Sequence, residues 1–326
     1  MLISVIIPTK QRPLPLHDAV QSILRNTYQS FELIIVDQSL DDASATMLAS
    51  CCLDPRLRYL RNRRPGVGAA SSRNLGIAAS NGEIVTMTDD DIEAPPNWLE
   101  LIAAEFRADP ELDFITGRLT APPYDPATGY TPEFNAWTGM PRWRLPIHAS
   151  GANFSMRRRL LDRIGGYDEL CGPGSRLGAI DDTGLCWRVL RSGARYKICP
   201  HIEVIHTHGF RPHPAGQELL DRYQYGNGGA FGRLARQGDR FAGMWFLGRE
   251  VKQIMRAILA TIRGDRHALR HSQLRLRGFW NGFRLPPYEG FVSGRQLQQL
   301  RELALAAEIP LDSFSQPSRH QIVASQ

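Results

Sequence analysis

Four short aliphatic runs recur through the first third of the chain: Ser4-Val5-Ile6-Ile7, Leu33-Ile34-Ile35-Val36, Leu57 to Leu60, and Glu83 to Thr88. Helical patterns separate them, over Leu16 to Asn26, near Asp42 to Cys51, and opening near Ala69. A strand that is apolar on both faces must be covered on both, and strands joined by helix-length crossovers run parallel. The alternation therefore predicts an α/β fold with a largely parallel sheet sandwiched by helices. Ligands of such sheets gather at the carboxyl ends of the strands. The residues just past each run are thus the first place to look for chemistry.

Further along, periodicity fades and returns. From about Ala121 to Pro146 the chain is rich in Pro, Gly, Trp and Tyr without a sustained period, and reads as loops building a pocket wall. Helical texture resumes over Met156 to Ile164 and Asp182 to Ser192, followed by strand-like Tyr196-Lys197-Ile198 and Ile202-Glu203-Val204-Ile205. Beyond Gly209 the chain becomes Arg-rich and helical, through Phe241 to Ile262 and onward to Arg277, and ends in a Gln-rich tail. With 326 residues, a catalytic domain over 1–210 and a basic, mainly helical extension over 211–326 is the expected division.

Charge follows the same division. Between Gly209 and Arg284 there are 14 Lys or Arg against 5 Asp or Glu, whereas the whole chain carries only +6, so the remainder is slightly acidic. In the extension, Met244, Leu247, Val251, Ile254, Met255, Ile258 and Ile262 recur at three-four spacing beside Arg249, Lys252, Arg256 and Arg263, with Trp245 and Phe246 at the start. Such a helix suits an anionic membrane interface, or else docks its apolar face on its own core or a second subunit. The amino terminus lacks a signal-peptide pattern, and no apolar stretch approaches the roughly 18 to 20 residues a spanning helix needs. The five cysteines, Cys51, Cys52, Cys171, Cys186 and Cys199, form no CxxC pair, which argues against a disulfide framework and a structural zinc site. A cytoplasmic protein, at most lying on the inner face of a membrane, is expected.

The strand ends present Thr9-Lys10-Gln11-Arg12, Asp37-Gln38-Ser39 and Asp89-Asp90-Asp91. Two carboxylates one residue apart after a strand, Asp89-x-Asp91, can offer oxygens to a hard divalent cation that keeps waters and phosphates as its other ligands; a solvated turn is the plainer alternative. No Gly-x-Ser-x-Gly elbow and no Cys with partner spacing is present, so hydrolase readings lack a nucleophile.

Taken in order, Ser4-Val5-Ile6-Ile7-Pro8-Thr9, Asp37-Gln38-Ser39, Arg73-Asn74-x-Gly76, Asp89-x-Asp91 followed by Pro96-Asn97-Trp98-Leu99, and Ile180-Asp181-Asp182-Thr183-Gly184-Leu185 resemble family 2 glycosyltransferases of the GT-A fold over about residues 1 to 210. That fold is a Rossmann-like, mixed and largely parallel sheet flanked by helices. The resemblance implies transfer of a sugar from a nucleoside-diphosphate donor to a saccharide or lipid-linked acceptor hydroxyl, with inversion and a Mg²⁺ or Mn²⁺ ion. Pro8, Thr9 and Arg12 would frame the base and Asp37 would bond the base or ribose, with a capped strand end as the alternative. Arg73 and Asn74, after the Pro65-Gly66-Val67-Gly68 turn, and Asp90 would lie by the nucleotide. Asp89 would contact ribose or metal and Asp91 would coordinate the ion, joined by His206, with His208 the other candidate. Gly151, Ala152 and Asn153 would line the donor sugar and acceptor. Asp182 would be the general base and Asp181 would shape the acceptor side, where the family has Glu; a helix cap is the structural alternative. Two rival readings stand beside this one. A non-catalytic nucleotide-sugar-binding scaffold would have no need of a base, and a nucleic-acid-binding protein would need a recognisable motif in the basic third.

Overall fold

The computed structural model describes residues 1–64, 68–134, 149–262 and 267–314. The alternation read from the sequence is present as β1 (Ile3–Thr9), α1 (Pro13–Leu24), β2 (Phe31–Asp37), α2 (Ala43–Cys51), β3 (Leu57–Arg61), α3 (Ala69–Ala79) and β4 (Ile84–Met87). There follow α4 (Trp98–Ala108), β5 (Phe114–Thr120), the short β6 (Gly129–Tyr130), β7 (Phe154–Arg157), α5 (Arg158–Ile164), α6 (Asp181–Arg191), β8 (Tyr196–Ile205) and the short β9 (Arg211–Pro212). The remainder is helical: α7 (Ala215–Arg236), α8 (Arg240–Ile262), α9 (His267–Arg284) and α10 (Gly294–Ala307), closed by a 3-10 turn at Leu311–Phe314.

Seven strands form one sheet in the order β3-β2-β1-β4-β7-β5-β8, and β6 pairs with β9 in a separate ribbon. Only β7 opposes the others in the large sheet. Every residue of β1 and β2 is buried, which is why these strands read as unbroken apolar runs rather than alternating ones. Their side chains divide by the period of two. Val5, Ile7, Leu33 and Ile35 pack with Leu16, Val20, Trp98 and Ile102 on one face, while Ile6, Ile34 and Val36 pack with Leu75, Leu160, Leu185 and Leu297 on the other. Each such burial contributes about 1.5–3 kcal/mol, against roughly 0–1 kcal/mol for an exposed ion pair, so the sheet holds its strand ends rigidly.

Gly76 explains how α3 comes close. A Cβ there would stand 2.5 Å from Cγ2 of Ile6, so only glycine lets the helix press onto β1 and seat Arg73 against the strand ends.

Several elements differ from the sequence reading. Residues Met156 and Arg157, read as helical, belong to β7, because their backbone pairs antiparallel with β4 and Met156 also with β5. The two strand-like pieces around residue 200 are one strand, β8, whose register against β5 shifts between Thr116 and Arg118; Pro200, which lacks an amide for the ladder, falls in the irregularity. The Gln-rich tail contains α10, opened by a capping box in which Ser293 and Gln296 each satisfy the other's backbone amide. This helix packs on α3, and Glu308 bridges to Leu60 at the sheet edge while ion-pairing with Arg58. The end of the extension thus returns to the sheet. Residues 135–146 of the expected pocket wall, the two residues after them and Pro65-Gly66-Val67 lie outside the described residues. No helix among the described residues is long and apolar enough to cross a membrane.

Candidate active site

Parallel register sets Thr9 beside Asp37 and brings β4 alongside β1, so the three strand ends, two of them acidic, meet at one edge of the sheet. Thr9 Oγ1 donates to Asp90 Oδ2 at 2.7 Å. Arg12 donates one guanidinium nitrogen to Asp90 Oδ1 at 2.7 Å and the other to Asp91 Oδ2 at 2.9 Å. Burial raises the Asp90 pKa to about 7, against the pull of Arg12. At Asp91 burial also opposes charge, but the contacts with His206 and Arg12 outweigh it and hold that carboxyl well below its ordinary range. Asp91 is therefore ionised wherever the protein is folded near neutrality.

Asp37 is almost wholly buried, and both its oxygens are taken: the Ser39 amide donates to Oδ1 at 2.6 Å and the Tyr59 hydroxyl to Oδ2 at 2.5 Å. The strand-end cap considered from the sequence is thus present. Pro8, buried in β1 opposite Val36, offers backbone shape and no donor.

Across the cleft α6 begins with two carboxylates in its first turn. A helix amino terminus favours negative charge there. The preceding residue, Ile180, has φ 62°, a left-handed conformation that a branched side chain rarely adopts, and strain of this kind gathers at functional sites. Arg73 links the two sides of the cleft, donating Nη1 to Asp181 Oδ2 and Nη2 to Asp89 Oδ1, the latter at 2.7 Å. The neighbouring Asp182 Oδ2 accepts the Gly151 amide at 2.9 Å. Burial and the adjacent Asp181 charge push the Asp182 pKa up to about 7, against the Gly151 amide, Arg73 and the Thr183 amide. A carboxylate tuned to neutrality can take a proton at working pH.

Not every residue singled out in the sequence faces the cleft. Asn74 is fully buried and clasps the next segment, accepting from Tyr167 N at 2.7 Å and donating to Tyr167 O and Glu169 Oε1. Asn153 accepts from Trp98 Nε1 at 3.1 Å and donates to the carbonyls of Arg118 and Ile202. Ala152 packs in the core. Of that trio Gly151 alone touches the acidic groups.

Two contributors went unread. Arg211 in β9 brings Nη2 within 3.6 Å of Asp91 Oδ2. Tyr223 on α7 is half-buried, and its loss of solvent together with Tyr130, Asp89, Asp182 and Asp91 nearby raises its phenol pKa. Both lie past the expected boundary at residue 210, and a basic or aromatic residue in an Arg-rich helical stretch carries no local signal for such a role.

The three expected metal ligands behave differently from one another. His206 Nε2 lies 3.0 Å from Asp91 Oδ2, while its Nδ1 faces the Pro132 carbonyl at 2.9 Å. Both ring nitrogens thus face acceptors, so the ring donates from each, and although burial opposes the charge, Asp91 raises the His206 pKa; an ion would replace the Nε2 proton, and a carboxylate with an imidazole suits Mn²⁺ or Mg²⁺. Asp89 turns instead to Arg73, and Asp89, Asp91 and His206 do not close into a three-ligand set. His208 pairs with Asp18 on the outer side. Asp91 and His206 are therefore the residues that fit an ion, with waters and phosphates as its further ligands.

A mostly parallel sheet with acidic strand ends, facing a helix that opens on two carboxylates, is the GT-A arrangement. Residues 4–165 match the profile of Glycosyl transferase family 2, which gives the chain a domain of that family. "Glycosyltransferase GlyG" of Streptococcus pneumoniae is 32% identical over 117 residues, spanning 36% of this chain and 38% of that relative. "O-antigen biosynthesis protein RfbC" of Myxococcus xanthus is 26% identical over 199 residues, 54% of this chain and 16% of that protein. The chain thus spans well under half the length of these relatives. Among solved structures, the mannosyltransferase PcManGT from Pyrobaculum calidifontis, in complex with GDP-Man and Mn²⁺, superposes with TM-score 0.55 at 17% identity, over 94% of this chain and 74% of that one. At that identity the likeness is one of fold.

Proposed function

We propose that this chain transfers a glycosyl group, with inversion, from a nucleoside-diphosphate sugar to an acceptor hydroxyl in the cytoplasmic assembly of a surface polysaccharide or glycolipid. The observation that carries the reading is Asp182, with its pKa near 7, standing beyond Arg73 from the strand-end carboxylate Asp89. An acceptor hydroxyl is a weak nucleophile until its proton has a destination. Asp182 takes that proton as the acceptor oxygen bonds to the anomeric carbon and the bond from that carbon to the diphosphate breaks; attack opposite the leaving group inverts the centre. Asp181, fixed by Arg73, shapes the acceptor side. Pro8, Thr9, Arg12 and Asp37 frame the nucleotide, with Asp90 locking Thr9 and Arg12 in place.

Asp91 and His206 would hold Mg²⁺ or Mn²⁺, which when bound would offset charge on the departing diphosphate. Support for the donor class comes from the complex of PcManGT with GDP-Man, and for the product class from the O-antigen relative. In this reading residues 1–210 carry the chemistry, and the extension over 211–326 adds Arg211 and Tyr223 to the wall and receives a saccharide or lipid-linked acceptor. A scaffold that only binds nucleotide sugars gains nothing from a base poised at neutrality.

A thermal-shift screen of nucleoside diphosphates and their sugars, with and without Mn²⁺, tests the reading. Stabilisation by one nucleotide class, enhanced by the ion, is expected; no response to any of them contradicts it.

A further inference from the structure

The face that α8 turns inward is not the one its periodicity suggested. Ala242, Phe246 and Ala257 are buried, with Phe246 stacked on Phe279, and Glu250 is buried against Arg249 and Arg275. The apolar stripe points outward: Met244 is 66% exposed, Val251 61% and Met255 62%, and Ile258 and Leu259 are also exposed. Met244, Val251, Met255 and Ile258 recur at helical spacing along one side, over about 20 Å of helix at 1.5 Å per residue. An exposed stripe of this length is a docking surface rather than the ordinary scatter of surface apolar groups.

Charge selects the occupant. The helix has one acidic residue, Glu250, and it is turned inward, so the exposed charges of α8 are all cationic. Lys252 and Arg256, four residues apart and both exposed, border the stripe. A second copy meeting this face about a two-fold axis would bring the same cations together with no acid of α8 between them. An anionic bilayer provides what the surface lacks, negative headgroups for Lys252 and Arg256 and an acyl boundary for the stripe.

We propose that α8 lies in the headgroup region of an anionic membrane along its Met244-to-Leu259 face. The placement relates to the cleft. Phe241, at the start of α8, stacks on Trp187 of α6 at 5.9 Å, and Trp187 follows Asp182 by five residues, about 7.5 Å of helix. The carboxylates that would meet the acceptor are thus one helix away from the bilayer surface, which suits an acceptor carried on a lipid. That last step rests on the transferase reading; the docking itself does not.

The test is co-sedimentation of the full chain with phosphatidylcholine vesicles, with and without phosphatidylglycerol, and reads no turnover. The wild type is expected on phosphatidylglycerol vesicles, weakened by salt, and K252E/R256E should bind about 30-fold or more weakly, from roughly fivefold for each cation near the surface. V251S/M255S should also lose binding, while the thermal midpoint and nucleoside-diphosphate response of both variants stay unchanged because the altered side chains are exposed. Equal binding to neutral vesicles, wild-type binding by K252E/R256E, or a wild-type dimer that V251S/M255S dissociates without vesicle binding would each overturn the proposal. Loss of nucleotide response with vesicle binding intact would instead remove the transferase reading and leave the membrane surface standing.

Discussion

The Oδ2 atom of Asp182 accepts the backbone amide of Gly151 at 2.9 Å, tying the first turn of α6 to the loop that enters β7. A Cβ at residue 151 would stand 3.4 Å from that same oxygen, an ordinary contact distance, so it is the hydrogen bond and not a lack of space that ties the two residues together. The contact holds the carboxylate in one orientation.

The protonation of Asp182 sets a pH dependence whose sign can be worked out. The base acts when ionised, so turnover should fall as pH drops through about 7. Stability moves the other way: the folded-state pKa lies above the ordinary 3.8, the folded chain binds more protons than the unfolded one between these values, and stability declines as pH rises from about 4 to about 7. Asp182→Asn should therefore raise the thermal midpoint at pH 8 and change it little at pH 4, checked by scanning calorimetry at both.

Arg73 is a buried cation shared by two carboxylates, with 6% of its side chain exposed. Removing one partner of a buried ion pair costs about 3–5 kcal/mol because the other is left unpaired. Since Asp89 keeps about a third of its side chain in solvent, Arg73→Ala should fall at the lower end, and Arg73→Lys, which loses the forked geometry, should recover only part. Denaturant midpoints at constant slope measure both.

Asn153 offers a contrast. Its amide joins the Trp98 indole to two backbone carbonyls deep in the fold, so Asn153→Ala should destabilise by about 3 kcal/mol through those orphaned groups, at 1–3 kcal/mol each with partial relaxation. Donor affinity per folded molecule should remain within a few-fold. A loss of affinity at full stability would return Asn153 to the sugar pocket.

The contrast also marks what local sequence can tell. Strands β1, β2 and β4 were legible because each is buried on both faces, and the residues that follow them fall at the same sheet edge whatever the loops do. The β7 and β5 strands were not: Met156-Arg157-Arg158 has helical texture and Gly117 interrupts β5, and only pairing with distant strands decides their form. In the site, Asp91 and His206 were read together and meet. Asn74 and Asn153 were read as binding groups, yet their amides are engaged by segments far away in sequence, a choice no motif records. Arg211 and Tyr223 enter from the extension, where residue type alone gives no hint.

For the ion, Asp91→Ala should abolish the difference in donor affinity between Mn²⁺ and EDTA, and His206→Ala should weaken it. Titration calorimetry with the nucleoside diphosphate found by the screen measures both. A wild-type Mn²⁺ response in Asp91→Ala would assign the ion to other residues.

The most direct measurement of the central claim is transfer by Asp182→Asn, read as release of nucleoside diphosphate, beside donor binding by calorimetry. Loss of a general base lowers turnover by about 10²–10⁴-fold. That loss with donor affinity near wild type is the expected result; transfer persisting within a few-fold of wild type would contradict the assignment of Asp182 as the base.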